Sequence, residues 1–544
     1  MYLFFQVRNP SSSLPAKIRL YTLFVDAAMS DDKDAVPRNL SPPHDEEKVW
    51  VPALDGSSPE PVLVDDAVKP QARVFSLFER VTFFLTRYGI ETNGIDPIPP
   101  NSRTDSRLFQ MFFVWFSSSL NVLGLGTGAS GPAFFGLSTK QCLVIMLFVD
   151  IVSCAVPAYF AVFGPKLGMR SMVQARYSWG YWPAKLPAAL NVFSMQGFLI
   201  LNCIIGGQTL ASVSSHLDDT LGIVIIGLIS LALAFCGYRV IHIWESAAWI
   251  PNAITFIIML GVGGKHLSNA PPTAPVTATS VVTFITTIAA SVISWCMMTP
   301  DYGVYHNHET PSLRIFIYTY LGFFLSSLIS HFLGAVFAAS AAGVPGWAAG
   351  FDNGNSVGGL IAAVLAPLGG FGRFLTVLLA LSVPSACAPT MYTFASSCMA
   401  VEAVFARIPR WVYAVVSEGI LIPVAIIGAK HFYNTFVDVL NIIGYWSCLF
   451  ASIILAEHFV FRRGRWEAYD LATWDSPSRL PPGIAALLAF LCAFGVVIPC
   501  MSQAWYTGPI ARAGTGDLGI IVGSAVAFIL YVGLRTAEKA AFGR

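Results

Sequence analysis

This sequence contains few charged residues. Only 12% of its 544 residues are Asp, Glu, Lys or Arg, and the formal net charge is +1. A surface that binds nucleic acid normally concentrates Lys and Arg on one face, so this composition argues against a nucleic-acid partner. Hydrophobic residues, in contrast, make up 55% of the chain, and the mean hydropathy is +0.64. Such a composition is typical of a polytopic membrane protein.

Motifs for hydrolysis, ATP use and metal binding are also missing. The sequence contains no Walker loop, no HExxH and no GxSxG, which sets aside ATP-driven pumping and the commonest hydrolases. Its ten cysteines are scattered through apolar segments without a CxxC pair, so they predict neither a disulfide framework nor a zinc site. We expect a protein that is not an enzyme and that has no metal site and no cofactor.

Apolar runs of membrane-spanning length recur about twelve times from residue 107 on, which predicts an all-α protein with twelve transmembrane helices. Lys and Arg number twelve in the even-numbered loops and four in the odd-numbered loops, so both termini are predicted to be cytoplasmic. The predicted spans are 107–130, 139–163, 187–214, 221–242, 246–265, 279–304, 314–341, 371–404, 411–429, 432–457, 483–505 and 517–536.

The segment before these spans has a different composition. Residues 1–106 are rich in Pro, Ser, Asp and Lys and contain no run long enough to span a bilayer. They predict a soluble, mostly disordered cytosolic tail ahead of a membrane domain at 107–544. Translation from Met1 and translation from Met29, which opens an ordinary cytosolic start, are both compatible with the sequence.

Two of the apolar runs are interrupted. The first carries five glycines and a proline within residues 124–136, and the sixth contains WCMMTPDYG at 295–303. Lipid cannot hydrogen-bond the backbone groups freed by such breaks, so the breaks must line a cavity or a ligand. Paired interruptions in the two halves of a chain point to the binding site of a secondary transporter. Breaks in the first and sixth helices predict a LeuT-like fold, with inverted repeats of five helices at about 107–265 and 279–457 and two accessory helices at about 483–536.

Long strings of the sequence resemble one transporter family. They are FGPKLGMRSMVQARYSWGYWPAKLPAALNVFSMQGFLILNCIIGGQ at 163–208, the segment 441–490, and MSQAWYTGPIA at 501–511. These strings are similar to the fungal purine-cytosine permease branch of the nucleobase:cation symporter-1 family, and the resemblance covers residues 107–544. It implies the LeuT-like fold, a plasma-membrane location, and import of purines, cytosine or related heterocycles together with a proton.

The resemblance implies two stacking aromatics and one hydrogen-bonding amide. The family pattern GWxxxN in helix 3 appears here with Phe198 in place of the Trp and with Asn202, and these two residues share a helix face. In helix 6 the family pattern GWxxxxADY aligns Trp295 with the second stacking aromatic. An interhelical hydrogen bond for Asn202 and a purely packing role for Trp295 are the alternatives from residue chemistry alone.

Helix 8 departs from the family pattern. Where the family has ANNIPNxYS, this chain has SACAPTMYT from Ser385 on, which keeps Pro389, places Thr390 after it and lacks all three asparagines. Asn offers a donor and an acceptor, whereas Thr offers one hydroxyl, so the hydrogen-bond readout of the substrate is expected to differ. Sodium coupling would use hydroxyl groups such as those of Ser382 and Ser385, whereas the family branch implies protons.

Three further polar residues lie near the breaks. Ser117 and Ser119 in helix 1 align loosely with the family's WxSAN and are candidates for substrate contact, although serines in spanning helices also bond back to their own backbone. Asp301 follows the break in helix 6, and intramembrane carboxylates are functional by default. Proton coupling and a gate salt bridge with Arg170 or Arg176 are both open for Asp301.

Other ionisable residues carry less weight in the sequence. Glu245 is placed at a helix end, Asp150 stays a candidate, and His331 is interpreted as a satisfied core histidine. No Lys or Arg lies near the centre of any predicted span, where a charge costs at least about 2.5–3.5 kcal/mol. A neutral, planar substrate therefore fits better than an organic anion.

The sequence as a whole predicts a secondary transporter that imports a purine nucleobase, cytosine or both by proton symport. The alternatives are an importer of another heterocycle, such as pyridoxine, and a nutrient sensor that binds its ligand without transport.

Overall fold

The computed structural model describes residues 94–235, 237–271, 275–430 and 432–544. Nineteen α-helices, short 3-10 turns and two π-helical segments make up its regular structure, and no strand is assigned in these ranges. The α-helices are α1 Phe109–Ser119, α2 Val122–Phe135, α3 Thr139–Ser153, α4 Ala155–Leu167, α5 Ser171–Gln174, α6 Arg176–Trp179, α7 Lys185–Ala211, α8 Asp219–Phe235, α9 Gly237–Gly263, α10 Ala278–Ile293, α11 Ser312–Ala341, α12 Pro345–Phe351, α13 Val357–Leu365, α14 Gly370–Ala380, α15 Val383–Val401, α16 Arg410–Ala429, α17 Phe432–Ala456, α18 Ile484–Cys500 and α19 Gly519–Phe542.

Each of the twelve predicted spans coincides with helices in the structure. Nine helices of the described part are long and apolar enough to cross a membrane, and the bent pair α1 and α2 makes a tenth span. The other two predicted spans correspond to α8 and α18, which are apolar helices of 17 residues each. The count of twelve therefore stays a prediction. One apolar helix that the sequence did not predict, Val357–Leu368, lies in the connection between α11 and α14.

Both predicted helix breaks are present. The axes of α1 and α2 differ by 53° across Leu120 and Asn121. Helix α10 continues as two 3-10 turns, Ser294–Met297 and Thr299–Tyr302, on either side of Met298, whose φ of −123° is not helical. The glycines and prolines that interrupt the apolar runs are therefore accompanied by real changes in backbone direction.

Helices α2 and α11 cross at very close range. A Cβ built on Gly128 would lie 1.9 Å from the carbonyl oxygen of His331, and one built on Gly334 would lie 1.9 Å from the carbonyl oxygen of Leu125. No side chain fits at either position. Small residues commonly allow such an approach between membrane helices, because association in lipid depends on close packing. This crossing fixes the second half of the broken first span against the backbone of α11.

Part of the segment that the sequence assigned to the tail is packed against the helices. Residues 94–106, which the sequence assigned to the disordered tail, pack against the helices: Arg103 is buried and its Nη1 donates to the carbonyl of Pro165 at 2.9 Å. The backbone N–H of Asp105 donates to Tyr305 at 3.1 Å. These backbone pairings are not visible in residue composition. The predictions for residues 1–93, including both candidate start methionines, concern residues outside the described ranges.

Candidate functional site

A cavity lies where the two helix breaks meet. It is small, with a volume of about 30 Å³, and its walls come from α1, α2, α7, α10, α11, α17 and the 3-10 turn after α10. Its lining residues are Ser118, Ser119, Asn121, Leu123, Gly124, Thr127, Phe198, Ser291, Val292, Trp295, Phe323, Ser327, His331 and Leu440. None of them is Lys, Arg, Asp or Glu, so the described wall presents hydroxyl, amide, imidazole and aromatic groups to a ligand.

Two aromatic rings face each other across this cavity. The ring centroids of Phe198 and Trp295 are 6.1 Å apart with an interplanar angle of 33°. Phe323 contacts the same indole at 5.8 Å, and Trp115 contacts it edge-on at 6.0 Å. A flat ring held between two others needs about 7 Å, since each stacking contact takes about 3.5 Å. If the two rings moved apart by about 1 Å more, they could therefore hold a planar ligand between them.

The break between α1 and α2 has its backbone groups satisfied by side chains. Asn121 caps α2 by accepting from the N–H of Gly124 at 2.9 Å, and its Nδ2 donates to the carbonyl of Ser118 at 2.6 Å. Asn252 on α9 donates to the carbonyl of Leu120 at 2.9 Å. Sequence reasoning missed both asparagines. An Asn directly before a helix start was a signal for the first, whereas Asn252 comes from a separate helix.

The predicted substrate residues do not all reach this cavity. Phe198, Trp295 and Ser119 line it, and their contact with substrate stays a prediction. Asn202 lies one turn from Phe198, and its Nδ2 donates to that residue's carbonyl at 2.9 Å. Its Oδ1 is buried and has no hydrogen-bond partner within the described ranges. Ser117 is buried on another face of α1.

The candidates of the eighth predicted span lie within α15 or, for Ser382, directly before it, and they do not line the cavity. Thr390 is buried, and its hydroxyl donates back to the carbonyl of Ala386 at 2.7 Å. Ser382 likewise donates to the carbonyl of Leu379 at 2.6 Å. Pro389 is buried within the same helix. This conformation therefore brings the aromatic residues together but leaves the α15 residues outside the cavity wall.

Asp301 connects three elements. One carboxylate oxygen accepts from the N–H of Ser171 at 2.7 Å, and the other accepts from the hydroxyl of Ser396 at 2.7 Å. The guanidinium groups of Arg170 and Arg410 also act on it electrostatically. Of the two arginines predicted as gate partners, Arg170 is therefore the nearby one. The other, Arg176, pairs with Asp475 at 2.8 Å.

Glu245 is a functional candidate that the sequence placed wrongly. The sequence assigned it to a helix end, but α9 begins at Gly237, so Glu245 lies two turns inside the helix and is fully buried. It lies beside the hydroxyl groups of Ser117 and Ser385. Neither of its carboxylate oxygens has a hydrogen-bond partner of standard geometry in the described part of the chain.

One lining residue, His331, belongs to a buried histidine–carboxylate pair. Nδ1 of His331 on α11 lies 3.0 Å from Oδ2 of Asp150 on α3, and the two side chains are 4% and 0% exposed. His331 is satisfied by this partner, as the sequence interpretation had it, but it also lines the cavity. The pair could not be predicted from sequence because its members are far apart in the chain.

The fold and the cavity define a multi-pass membrane transporter of the LeuT-like class. Its fold is similar to that of the nucleobase-cation-symport-1 transporter Mhp1 in a closed conformation with bromovinylhydantoin bound, with a TM-score of 0.62, 15% identity, and coverage of 83% of this chain and 96% of that one. A sodium-coupled sialic acid symporter gives a TM-score of 0.53 at 12% identity, covering 85% and 96% of the two chains.

The family follows from the sequence comparison. Residues 97–510 match the profile of the family described as "Permease for cytosine/purines, uracil, thiamine, allantoin", and the chain belongs to that family. It is 34% identical to the purine-cytosine permease fcyB of Emericella nidulans over 476 residues, 86% of this chain and 93% of that protein. The purine-cytosine permease FCY2 of Saccharomyces cerevisiae is 34% identical over 475 residues, 85% and 88%. The vitamin B6 transporter TPN1 of Saccharomyces cerevisiae is 27% identical over 514 residues, 84% and 89%.

Proposed function

We propose that this protein imports a neutral planar heterocycle, a purine nucleobase, cytosine or both, by alternating access. The observation that carries the proposal is the facing pair Phe198 and Trp295 in a cavity between two broken helices. Aromatic stacking is worth about 1–3 kcal/mol per base in proteins that bind single strands. The described wall offers no charge to pair with an anion or a cation, and the most similar relatives reported above are purine-cytosine permeases.

Hydrogen bonds to the substrate would come from the first broken span and from α7. Ser119 lines the cavity directly. Asn202 is the best placed of the other predicted residues, because its unpartnered Oδ1 lies one turn from Phe198. Ser117, Pro389 and Thr390 stay predictions, and their contact with substrate would require another conformation of the transport cycle.

We propose a proton as the coupling ion and Glu245 as its carrier. A buried carboxylate without a counter-ion is costly to keep charged, so proton binding and release there can be linked to the conformation around it. The neighbouring hydroxyl groups come from α1 and α15. Sodium is the less favoured alternative, since the hydroxyl of Ser382 donates to the carbonyl of Leu379 at the end of α14 and that of Ser385 accepts from Trp244 at 2.8 Å.

Import of pyridoxine is the second candidate. It is favoured by the likeness to a vitamin B6 transporter and by the absence of the asparagines that the family pattern has in helix 8. In both cases we propose a plasma-membrane protein with cytoplasmic termini, supported by twelve basic residues in the even-numbered loops against four in the odd-numbered loops.

Uptake in yeast cells that lack their own carriers tests this proposal. Radiolabelled adenine, hypoxanthine, cytosine and pyridoxine are each supplied at acidic external pH in sodium-free buffer, with and without a protonophore. We expect uptake of at least one nucleobase that the protonophore suppresses. Uptake of pyridoxine alone would move the assignment to the second candidate. Binding of a nucleobase without any uptake, in cells that display the protein at the surface, would indicate a sensor.

A further inference from the structure

The imidazole of His331 is held in one orientation at the cavity wall. Its Nδ1 lies 3.0 Å from the carboxylate of Asp150, and both side chains are almost completely buried. The backbone of His331 is fixed as well, because Gly128 of α2 packs directly on its carbonyl oxygen. The ring therefore has little freedom to turn away from the cavity that it lines.

The partner of Nδ1 determines what the other ring nitrogen offers. An ionised carboxylate only accepts hydrogen bonds, so the proton of a neutral His331 must be on Nδ1. Nε2 then carries a lone pair and acts as an acceptor. Nδ1 is the only ring atom of His331 with a hydrogen-bond partner among the described residues. Nε2 is thus an acceptor without a partner among the described residues, on a side chain that lines the cavity.

We propose that His331 is a specificity residue whose Nε2 accepts a hydrogen bond from a ring N–H of the bound heterocycle, with Asp150 as the residue that positions its proton. This inference rests on the proposed function, since it takes the cavity to be the substrate site. Adenine, hypoxanthine and cytosine each carry a ring N–H, whereas the ring nitrogen of the uncharged, non-zwitterionic tautomer of pyridoxine carries no hydrogen. The pair thereby provides a readout that does not depend on the asparagines missing from α15.

The test measures ligand binding to the purified full-length protein at pH 7.5. The probes are adenine and its 7-methyl and 9-methyl derivatives, neither of which has a ring N–H. Wild type should bind adenine about 10-fold more tightly than either derivative, because a buried hydrogen-bonding group left without its partner costs about 1–3 kcal/mol. Substitution His331→Leu should lower adenine affinity by a similar factor and bring the ratio between adenine and its methyl derivatives close to one.

Two further variants separate specificity from folding. His331→Gln keeps an acceptor and should retain most of the preference for adenine, whereas Asp150→Asn releases the tautomer and should give a preference between those of wild type and His331→Leu. A variant that is only less stable would lose affinity for all three probes equally. Methyl derivatives bound by wild type as tightly as adenine would overturn the inference, even if His331→Leu failed to fold.

Different results would refute the proposed function and the role of His331. Wild type that binds none of adenine, hypoxanthine and cytosine would refute the proposed function, and the role of His331 with it. Wild type that binds adenine, together with a His331→Leu variant of unchanged affinity and unchanged methyl discrimination, would refute the role of His331 alone. Loss of proton-driven uptake in His331→Leu with unchanged methyl discrimination would also contradict it, because that pattern belongs to a proton carrier.

Discussion

At the scale of single residues, the site combines aromatic rings that face a cavity with a buried carboxylate. The π faces of Phe198 and Trp295 point at each other at a spacing slightly too short for a third ring. Glu245 is buried without a counter-ion in the described part of the chain. A buried carboxylate without a counter-ion costs folding stability, which favours a functional role for Glu245.

Removing the π surface on α7 should weaken substrate binding. We expect Phe198→Leu, which keeps an apolar side chain, to raise the apparent KM for uptake by about 10-fold, since stacking of one base is worth about 1–3 kcal/mol. Phe198→Tyr should stay near wild type. The matched control is Phe193→Leu on the same helix, whose side chain is 75% exposed. Equal effects of Phe198→Leu and Phe193→Leu would contradict the stacking role.

The carbonyl of Leu120 depends on a donor from another helix. Substitution Asn252→Leu removes that donor and should destabilise the protein by about 1–3 kcal/mol, because the carbonyl at the helix break stays buried and unpaired. The melting temperature of the purified protein measures this loss. The control Thr255→Val removes a hydroxyl that only bonds back to Pro251 within α9, and it should change the melting temperature much less.

At the scale of elements, the sequence predicted the helices well but not the side-chain contacts between them. The apolar runs coincide with helices at each predicted position, and Gly, Pro and the polar residues within two of them predicted the breaks that α1, α2 and α10 show. Helix Val357–Leu368 was missed because its apolar run is too short to span a bilayer. The pair of Asp150 and His331 joins two distant helices, and no local pattern encodes such a contact.

The close crossing of α2 and α11 should be essential for the fold of the site. A side chain at position 334 meets the backbone of Leu125, so Gly334→Val should prevent the crossing and greatly reduce the amount of monodisperse protein seen by fluorescence-detected size exclusion. Gly533→Val in α19, where a Cβ meets nothing within 4 Å, is the control and should behave as wild type. Normal yield of Gly334→Val with normal uptake would show that the contact is dispensable.

At the scale of the whole molecule, transport requires the two broken helices to change their relation to the rest of the bundle. Asp301 is placed to hold one arrangement, since it joins the end of the sixth span to α5 and α15 through Ser171 and Ser396. Sequence reasoning found this residue but not its partners, because backbone and hydroxyl donors have no sequence signature.

Loss of this connection should affect transport more than binding. We expect Asp301→Asn to retain adenine binding by the purified protein within about 3-fold, while the maximal rate of uptake falls by about 10-fold or more, as for a residue that stabilises one conformational state by 1.4 kcal/mol or more. Glu402→Gln, which alters a carboxylate exposed at the surface and paired with Lys185, is the control. A parallel loss of binding in Asp301→Asn would instead indicate a substrate contact.

The most direct measurement of the central claim is accumulation of radiolabelled adenine, hypoxanthine and cytosine in proteoliposomes under an inward proton gradient without sodium. Wild type should concentrate at least one of them above equilibrium. Glu245→Gln should lose this accumulation but still exchange internal for external substrate, because exchange needs no net proton movement. Failure of wild type to move any of the three bases, or accumulation driven by a sodium gradient alone, would contradict a proton-coupled nucleobase importer.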